Sequence, residues 1–273
     1  MISDLWLIGC GNMGGAMLAR WLATGLDPAQ VTVVRPSGVL PAAGVRMLST
    51  VPDGASPAAM VLLAVKPQML DAVAGEVARL CGPETLLVSI LAGVGLCDLR
   101  RRFPRVGAVA RAMPNTPVAI GRGVVLTTTV PETHAATLGA LFAPLGHVER
   151  TDDEQQFDRA TALAGCGPAF LFRFVDALAD AGAALGLEPE QALRLALATV
   201  DGAAGLARMG DETPGRLADR VASPGGMTRE GLNVLDEGQA LRDLLRRTLA
   251  AADARGQALA EAARQSSPDN TAQ

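Results

Sequence analysis

A chain of 273 residues is long enough for one large domain or two of ordinary size. Its 49% apolar and 19% charged content describe a globular protein and exclude a disordered one. The formal net charge of −4 gives no reason to expect a nucleic-acid partner.

The chain opens MISDLWLIGCG, an apolar run without a basic segment before it, and residues 5–8 read as a buried first strand rather than a signal peptide. Residues 31–34, 60–65 and 85–90 read the same way: short, apolar and bounded by turn residues. Between them, residues 13–24 and 68–80 carry apolar side chains at helical spacing. Strand, helix and strand in alternation indicate a parallel sheet with helices on both faces. Residues 106–111 and 123–129 are expected as further strands, 132–142 as a helix, and 147–149 as the strand that closes the sheet.

Beyond Arg150 the pattern turns helical and rich in Ala, Leu, Arg and Glu, with helices expected over 169–185, 189–208 and 241–263. The expected division is therefore a dinucleotide-binding domain over 1–151, a helical domain over 152–264 and a disordered tail over 265–273. Two of the helices, 169–185 and 192–207, are apolar on more than one face, more than a bundle of this size can hide. A homodimer sharing one helical core between two chains is expected from this. Arg173, Asp176 and Asp180 interrupt the apolar run of 169–187, so no membrane span is expected there.

The motif IGCGNMG follows the first strand directly. Gly9 permits the tight turn, Gly11 lets a pyrophosphate approach the backbone, and Gly14 lets helix and strand pack closely, while the helix N-terminus at Asn12 and Met13 attracts negative charge. The second strand ends in Arg35, Pro36 and Ser37 rather than in an acid, which suits the 2′-phosphate of NADPH better than the ribose hydroxyl of NADH, the second choice. Ala64, Val65, Lys66 and Pro67 end another strand at the same carboxyl edge, beside the expected cofactor. Lys66 is the only lysine in the chain, so any lysine chemistry must use it.

Three further segments read as sites. RAMPNTP over 111–117, with Asn115, is too polar and too rich in proline for a strand, yet sits at a sheet edge. AGCGPAF over 164–170 and SPGGMT over 223–228 read as flexible loops ending at helix N-termini, where backbone N–H groups capture a carboxylate. Cys10, Cys81, Cys97 and Cys166 form no CxxC pair, and reduced thiols in the cytoplasm are expected. His134, His147 and the scattered acids lack metal-ligand spacing, so no metal is expected.

Taken in order, IGCGNMG, AVKPQ, RAMPNTP, AGCGPAF and SPGGMT resemble the pyrroline-5-carboxylate reductases over essentially the whole chain. The resemblance implies a Rossmann-like N-terminal domain and an all-α C-terminal dimerisation domain; larger rings of dimers occur in that family. It implies hydride transfer from NADPH to the imine carbon of a small cyclic substrate, giving L-proline. Carried over, the amides around Ser223, Gly225, Gly226 and Met227 would hold the substrate carboxylate, with Gly165, Cys166 and Gly167 nearby, and Thr228 would hydrogen-bond the ring nitrogen. Where the family has SGSGPAY, Ala164, Cys166 and Phe170 replace three hydroxyl-bearing residues, which leaves open a different cyclic imine as substrate. A nucleotide-binding relative without catalysis is the remaining alternative.

Overall fold

The computed structural model describes residues 4–36 and 42–265. Ser37 and residues 266–273, most of the expected tail, lie outside them, while Gln265 still belongs to the last helix. The eight strands are β1 Leu5–Ile8, β2 Val31–Val34, β3 Arg46–Leu48, β4 Met60–Leu63, β5 Leu86–Ser89, β6 Ala108–Pro114, β7 Gly123–Thr128 and β8 Gly146–Thr151. The helices are α1 Asn12–Ala23, α2 Leu70–Val77, α3 Leu96–Arg102, α4 Glu132–Phe142, α5 Glu154–Ala160, α6 Gly167–Ala184, α7 Pro189–Met209, α8 Pro214–Arg220, α9 Met227–Asp236 and α10 Ala240–Gln265.

The strands form one sheet in the order β3-β2-β1-β4-β5-β6-β7-β8. All pairings are parallel except β6 with β7. Strands β1, β2, β4 and β5 are buried along their whole length, as both faces are covered. Alternate side chains enter two cores. Leu5, Leu7, Val33, Leu62 and Val88 pack with Met17, Leu18 and Trp21 of α1 and Leu138, Leu141 and Phe142 of α4. Trp6, Ile8, Val61, Leu63 and Leu87 pack on the other face with Leu70 and Val77 of α2 and with Leu99 and Phe103 at α3.

Two expectations are corrected. RAMPNTP is not excluded from the sheet: β6 runs through Arg111 to Pro114, with Ser89 opposite Arg111 on one side and Thr127 opposite Ala112 on the other. A buried arginine is tolerated there because Glu154 and Asp158 each bind its guanidinium at 2.8 Å, and Phe157 lies beneath it at 4.4 Å. Pro114 sits at the strand's last position. AGCGPAF is not a flexible loop either. Residues Thr161–Gly165 form a π-helical turn inside a continuous helical run, Glu154–Ala184. The wider turn accommodates Pro168, whose ring would crowd the carbonyl of an α-helical Ala164.

The chain divides into two compact units. The first comprises Met1–Cys166 with Ala252–Gln273, the second Gly167–Ala251. The change of composition at Arg150 and the division at Cys166 therefore differ: Arg111 holds α5 to the sheet, and the end of α10 places its backbone at Leu259 and Ala260 against Gly93. In the second unit α6 and α7 pack through small residues, with Val175 and Ala179 against Ala192 and Ala196, and a Cβ on Gly182 would lie 3.3 Å from that of Ala192. Much of the remaining apolar surface of these helices is bare, including Phe172 at 63% and Leu195 at 52% exposure. The run Glu154–Ala184 is long and apolar enough to cross a membrane by length and composition, with the three charged residues noted above inside it.

Candidate active site

In the first unit the carboxyl edge of the sheet brings together the ends of β1, β2, β4, β5 and β6. The topological switch lies at β1, flanked by β2 and β4, where doubly wound sheets bind their ligands. Gly9 has φ +85°, and a Cβ there would lie 2.7 Å from the Ala64 carbonyl oxygen. Its N–H donates to the Val34 carbonyl at 2.8 Å, so the turn is pinned between the two neighbouring strands. At Gly14 an added Cβ would meet that of Ala64 at 3.2 Å, which is the close helix–strand approach expected of the third glycine.

Gly11 is different. It is the N-cap of α1, has ordinary negative φ, and a Cβ on it would meet no atom within 4 Å. Its lack of a side chain keeps space open outside the protein's own packing, above a helix N-terminus without a side-chain cap. The exposed Asn12 and half-buried Met13 begin that helix, with no acidic residue in its first turn. The space and the donors fit a pyrophosphate.

Arg35 follows β2, and its Nη1 donates to the Cys10 carbonyl at 3.3 Å, so the guanidinium stands beside the glycine loop. Burial raises the pKa of the Cys10 thiol, and the nearby Arg35 charge partly offsets it, so the thiol stays neutral at physiological pH. Lys66, exposed, caps a short turn that opens with Pro67. Ala64 and Val65 line the same edge. Asn115 directly follows β6 and is buried, its side chain joined to Val124 and Ala164. Glu154 was not singled out from the sequence. Its Oε1 accepts from both Arg111 and the Leu96 N–H at the start of α3. The only signal for it was a charged residue inside an apolar strand, which demands a partner.

In the second unit, Gly226 caps α9 and Gly225 has φ +71°. The Gly226 N–H donates to the Ser223 carbonyl at 3.0 Å, and a Cβ on Gly226 would come within 2.7 Å of the Ser223 hydroxyl. Both glycines are therefore required by the turn. No side chain caps α9, and Met227 and Thr228 are exposed at its first two positions. Arg229 anchors this start through Asp219 at 3.0 Å. The turn offers a row of backbone donors beside the Thr228 hydroxyl, a set suited to a carboxylate and a neighbouring nitrogen. Of the other expected residues, Gly165 closes the π turn, Cys166 donates its N–H to the Thr161 carbonyl at 3.4 Å, and Gly167 begins α6. Among the described residues no group of acids, histidines and cysteines is arranged to hold a metal.

A glycine turn at the switch point, an open helix N-terminus and an arginine after the second strand define the nucleotide half of a pyridine-nucleotide oxidoreductase. Residues 5–93 match the family described as "NADP oxidoreductase coenzyme F420-dependent", and residues 154–259 match "Pyrroline-5-carboxylate reductase dimerisation". A pyrroline-5-carboxylate reductase of Pisum sativum is 34% identical over 261 residues, covering 91% of this chain and 93% of the relative. Among solved structures, a pyrroline-5-carboxylate reductase from Coxiella burnetii superposes with a TM-score of 0.86 at 31% identity, covering 95% of this chain and 99% of that one. The Plasmodium falciparum pyrroline carboxylate reductase with NADP bound gives 0.83 at 26% identity, covering 94% and 98%. The chain belongs to the pyrroline-5-carboxylate reductase family.

Proposed function

We propose that this protein reduces 1-pyrroline-5-carboxylate to L-proline with NADPH. The observation that carries the reading is the pairing on one chain of two turns whose backbone suits an anion: the open face of Gly11 and the start of α9, without a side-chain cap, behind Gly225 and Gly226. The first suits a dinucleotide and the second a small carboxylate, and both belong to a chain whose relatives at about one-third identity are pyrroline-5-carboxylate reductases.

The proposed cofactor residues are Gly9, Gly11, Asn12, Met13 and Gly14 for the pyrophosphate, Arg35 and Ser37 for the 2′-phosphate, and Ala64, Val65, Lys66 and Pro67 along the ribose. Asn115 belongs to the same wall, with one Nδ2 hydrogen uncommitted among the described residues. When bound, NADPH supplies the hydride. The amides at Gly225 and Met227 hold the substrate carboxylate, on a turn that the Gly226 N–H closes onto the Ser223 carbonyl; Gly165, Cys166 and Gly167 are proposed as further substrate residues. Thr228 holds the ring nitrogen through its hydroxyl. An imine that binds already protonated needs no further acid, which fits a site without a histidine or a carboxylate pair.

The functional division proposed is nucleotide binding over 1–151 and substrate binding with dimerisation over 152–264. The working unit proposed is a cytoplasmic homodimer that joins through the helical region, or a ring of such dimers, and sedimentation distinguishes the two. The experiment is NADPH absorbance with purified protein and pyrroline-5-carboxylate, beside NADH and Thr228→Ala. The reading expects rapid oxidation, a preference for NADPH, and a loss of about 10- to 100-fold in kcat/KM for the variant, the range of a lost hydrogen bond to a charged group. Folded protein that binds NADPH and turns over no pyrroline-5-carboxylate would sink it.

A further inference from the structure

Pro168 has no N–H to donate, so the carbonyl of Ala164, four residues earlier in the same helical run, lacks the donor an α-helix would give it. That carbonyl is nevertheless satisfied: Nδ2 of Asn115 donates to it at 2.9 Å. The other end of the same side chain is fixed too, with Oδ1 accepting from the Val124 N–H of β7 at 2.8 Å. The Asn115 main chain is held as tightly, its N–H on the Val124 carbonyl and its carbonyl on the Val118 N–H, each at 3.1 Å. Asn115 is 7% exposed and has little freedom to move. Beside it, a Cβ on Gly165 would lie 3.8 Å from Cγ of Met113, so the π turn rests on β6 one strand position from Pro114.

We infer that Asn115 is a positioning residue. It supplies from the end of β6 the donor that Pro168 withholds, and so fixes where the backbone of Gly165, Cys166 and Gly167 stands. The inference rests on the proposed placing of those three residues beside the substrate, and it moves the main effect of Asn115 from the cofactor to the substrate. It also explains why Ala164 in place of a hydroxyl residue leaves this connection intact, because the contact is through the main chain. The π turn is the wider helical form that recurs at functional sites.

The test compares Asn115→Asp in the wild-type chain and in a Pro168→Ala chain, with the KM for pyrroline-5-carboxylate, kcat and the Kd for NADPH measured for each. Aspartate keeps the acceptor for Val124 and turns an oxygen toward the Ala164 carbonyl. The inference expects KM to rise about tenfold or more in the wild-type chain, with the Kd for NADPH changed less than about twofold, since one lost buried donor corresponds to about tenfold. In the Pro168→Ala chain the new backbone N–H takes over, and the same substitution raises KM by only about two- to threefold. Asn115→Ser, too short to reach Ala164, gives the same pattern without a new charge, should the aspartate variant fail to fold.

An equal rise in the Kd for NADPH would return Asn115 to the cofactor and overturn the inference. An equal rise in KM with and without Pro168 would overturn it as well. Hydrogen exchange over residues 161–170 separates its failure from that of the proposed function. In a protein that turns over no pyrroline-5-carboxylate, protection must still fall in Asn115→Asp and recover in the double variant, and unchanged exchange overturns the inference.

Discussion

Nη1 of Arg111 donates to Oε1 of Glu154 at 2.8 Å, and that oxygen also accepts from the Leu96 N–H at 3.0 Å. One carboxylate therefore joins the middle of β6, the first turn of α5 and the start of α3. Asp158 takes the second arm of the guanidinium, also at 2.8 Å, and Phe157 supports its face. Arg111 is 4% exposed, whereas the two carboxylates are 36% and 42% exposed at their side chains. Removing the arginine thus leaves acids that water can reach, while removing the acids leaves a cation that water cannot. Arg111→Met is expected to lower stability by about 2 kcal/mol, and the pair Glu154→Gln with Asp158→Asn by about 3 to 5 kcal/mol. Urea unfolding of the three proteins checks the order, and a costlier Arg111→Met would contradict it.

The same arginine shows what the sequence concealed. β1, β2, β4 and β5 were legible because burial on both faces leaves only apolar residues, a pattern that local reading detects. β6 was cut short at Arg111 because the residues that neutralise it lie 43 and 47 positions later. β3 was missed for the opposite reason: it pairs only with β2, is three residues long and begins with an exposed arginine. Gly165, Gly167 and Pro168 read as a loop because each breaks an isolated helix, whereas the structure absorbs them where a π turn passes into α6, with the Ala164 carbonyl satisfied by a side chain 49 positions earlier. The reversed direction of β7 has no local signature at all. The glycine turn and the SPGG turn were legible because each must adopt a backbone that other residues resist.

Gly9 and Gly11 are expected to respond differently to the same substitution. Gly9→Ala places a Cβ at positive φ and 2.7 Å from a backbone oxygen, so it should destabilise the apo protein by about 2 to 4 kcal/mol. Gly11→Ala meets nothing within 4 Å and has a permitted φ, so the apo protein should stay within about 1 kcal/mol of wild type. Its Kd for NADPH should rise about tenfold or more, because the methyl group occupies the space left for the pyrophosphate. Thermal unfolding and calorimetric titration of both variants separate fold from ligand; tight NADPH binding by Gly11→Ala would remove the pyrophosphate from that turn.

Alkaline pH should act through cysteine. The chain has no tyrosine and one lysine, so few other groups titrate between pH 9 and 11. Burial pushes the Cys81 thiol up to about 11 from its ordinary 9.0, with the Arg105 charge offsetting part of the effect. The folded state therefore holds this proton more tightly than the unfolded chain. Its contribution is fully present below about pH 9 and is lost as pH rises through about 11, a difference of about 2 to 3 kcal/mol. Cys10 is raised in the same direction, also by burial. Unfolding free energies measured at intervals from pH 8 to 11 should fall less steeply for Cys81→Ala than for wild type, whatever the variant's stability at pH 8. Parallel curves would show that Cys81 is not the group responsible.

The helical unit makes the assembly prediction. Its internal core of Val175, Ala179, Ala192 and Ala196 is small, and the larger apolar side chains stand outside it, Phe172, Phe174, Leu195 and Leu197 among them. Patches of this kind are costly to leave in water and mark a surface that a partner covers. A second copy is the partner that a match to a dimerisation family selects, and a two-fold contact buries each such residue twice. Phe172→Glu and Leu195→Glu are each expected to shift the sedimenting species from a dimer or larger assembly toward the monomer, with helical content retained by circular dichroism. A wild-type protein that sediments as a monomer at micromolar concentration would leave this surface without its proposed partner. A Phe172→Glu variant that stays dimeric would instead place Phe172 outside the interface and leave the Leu195 region to carry it.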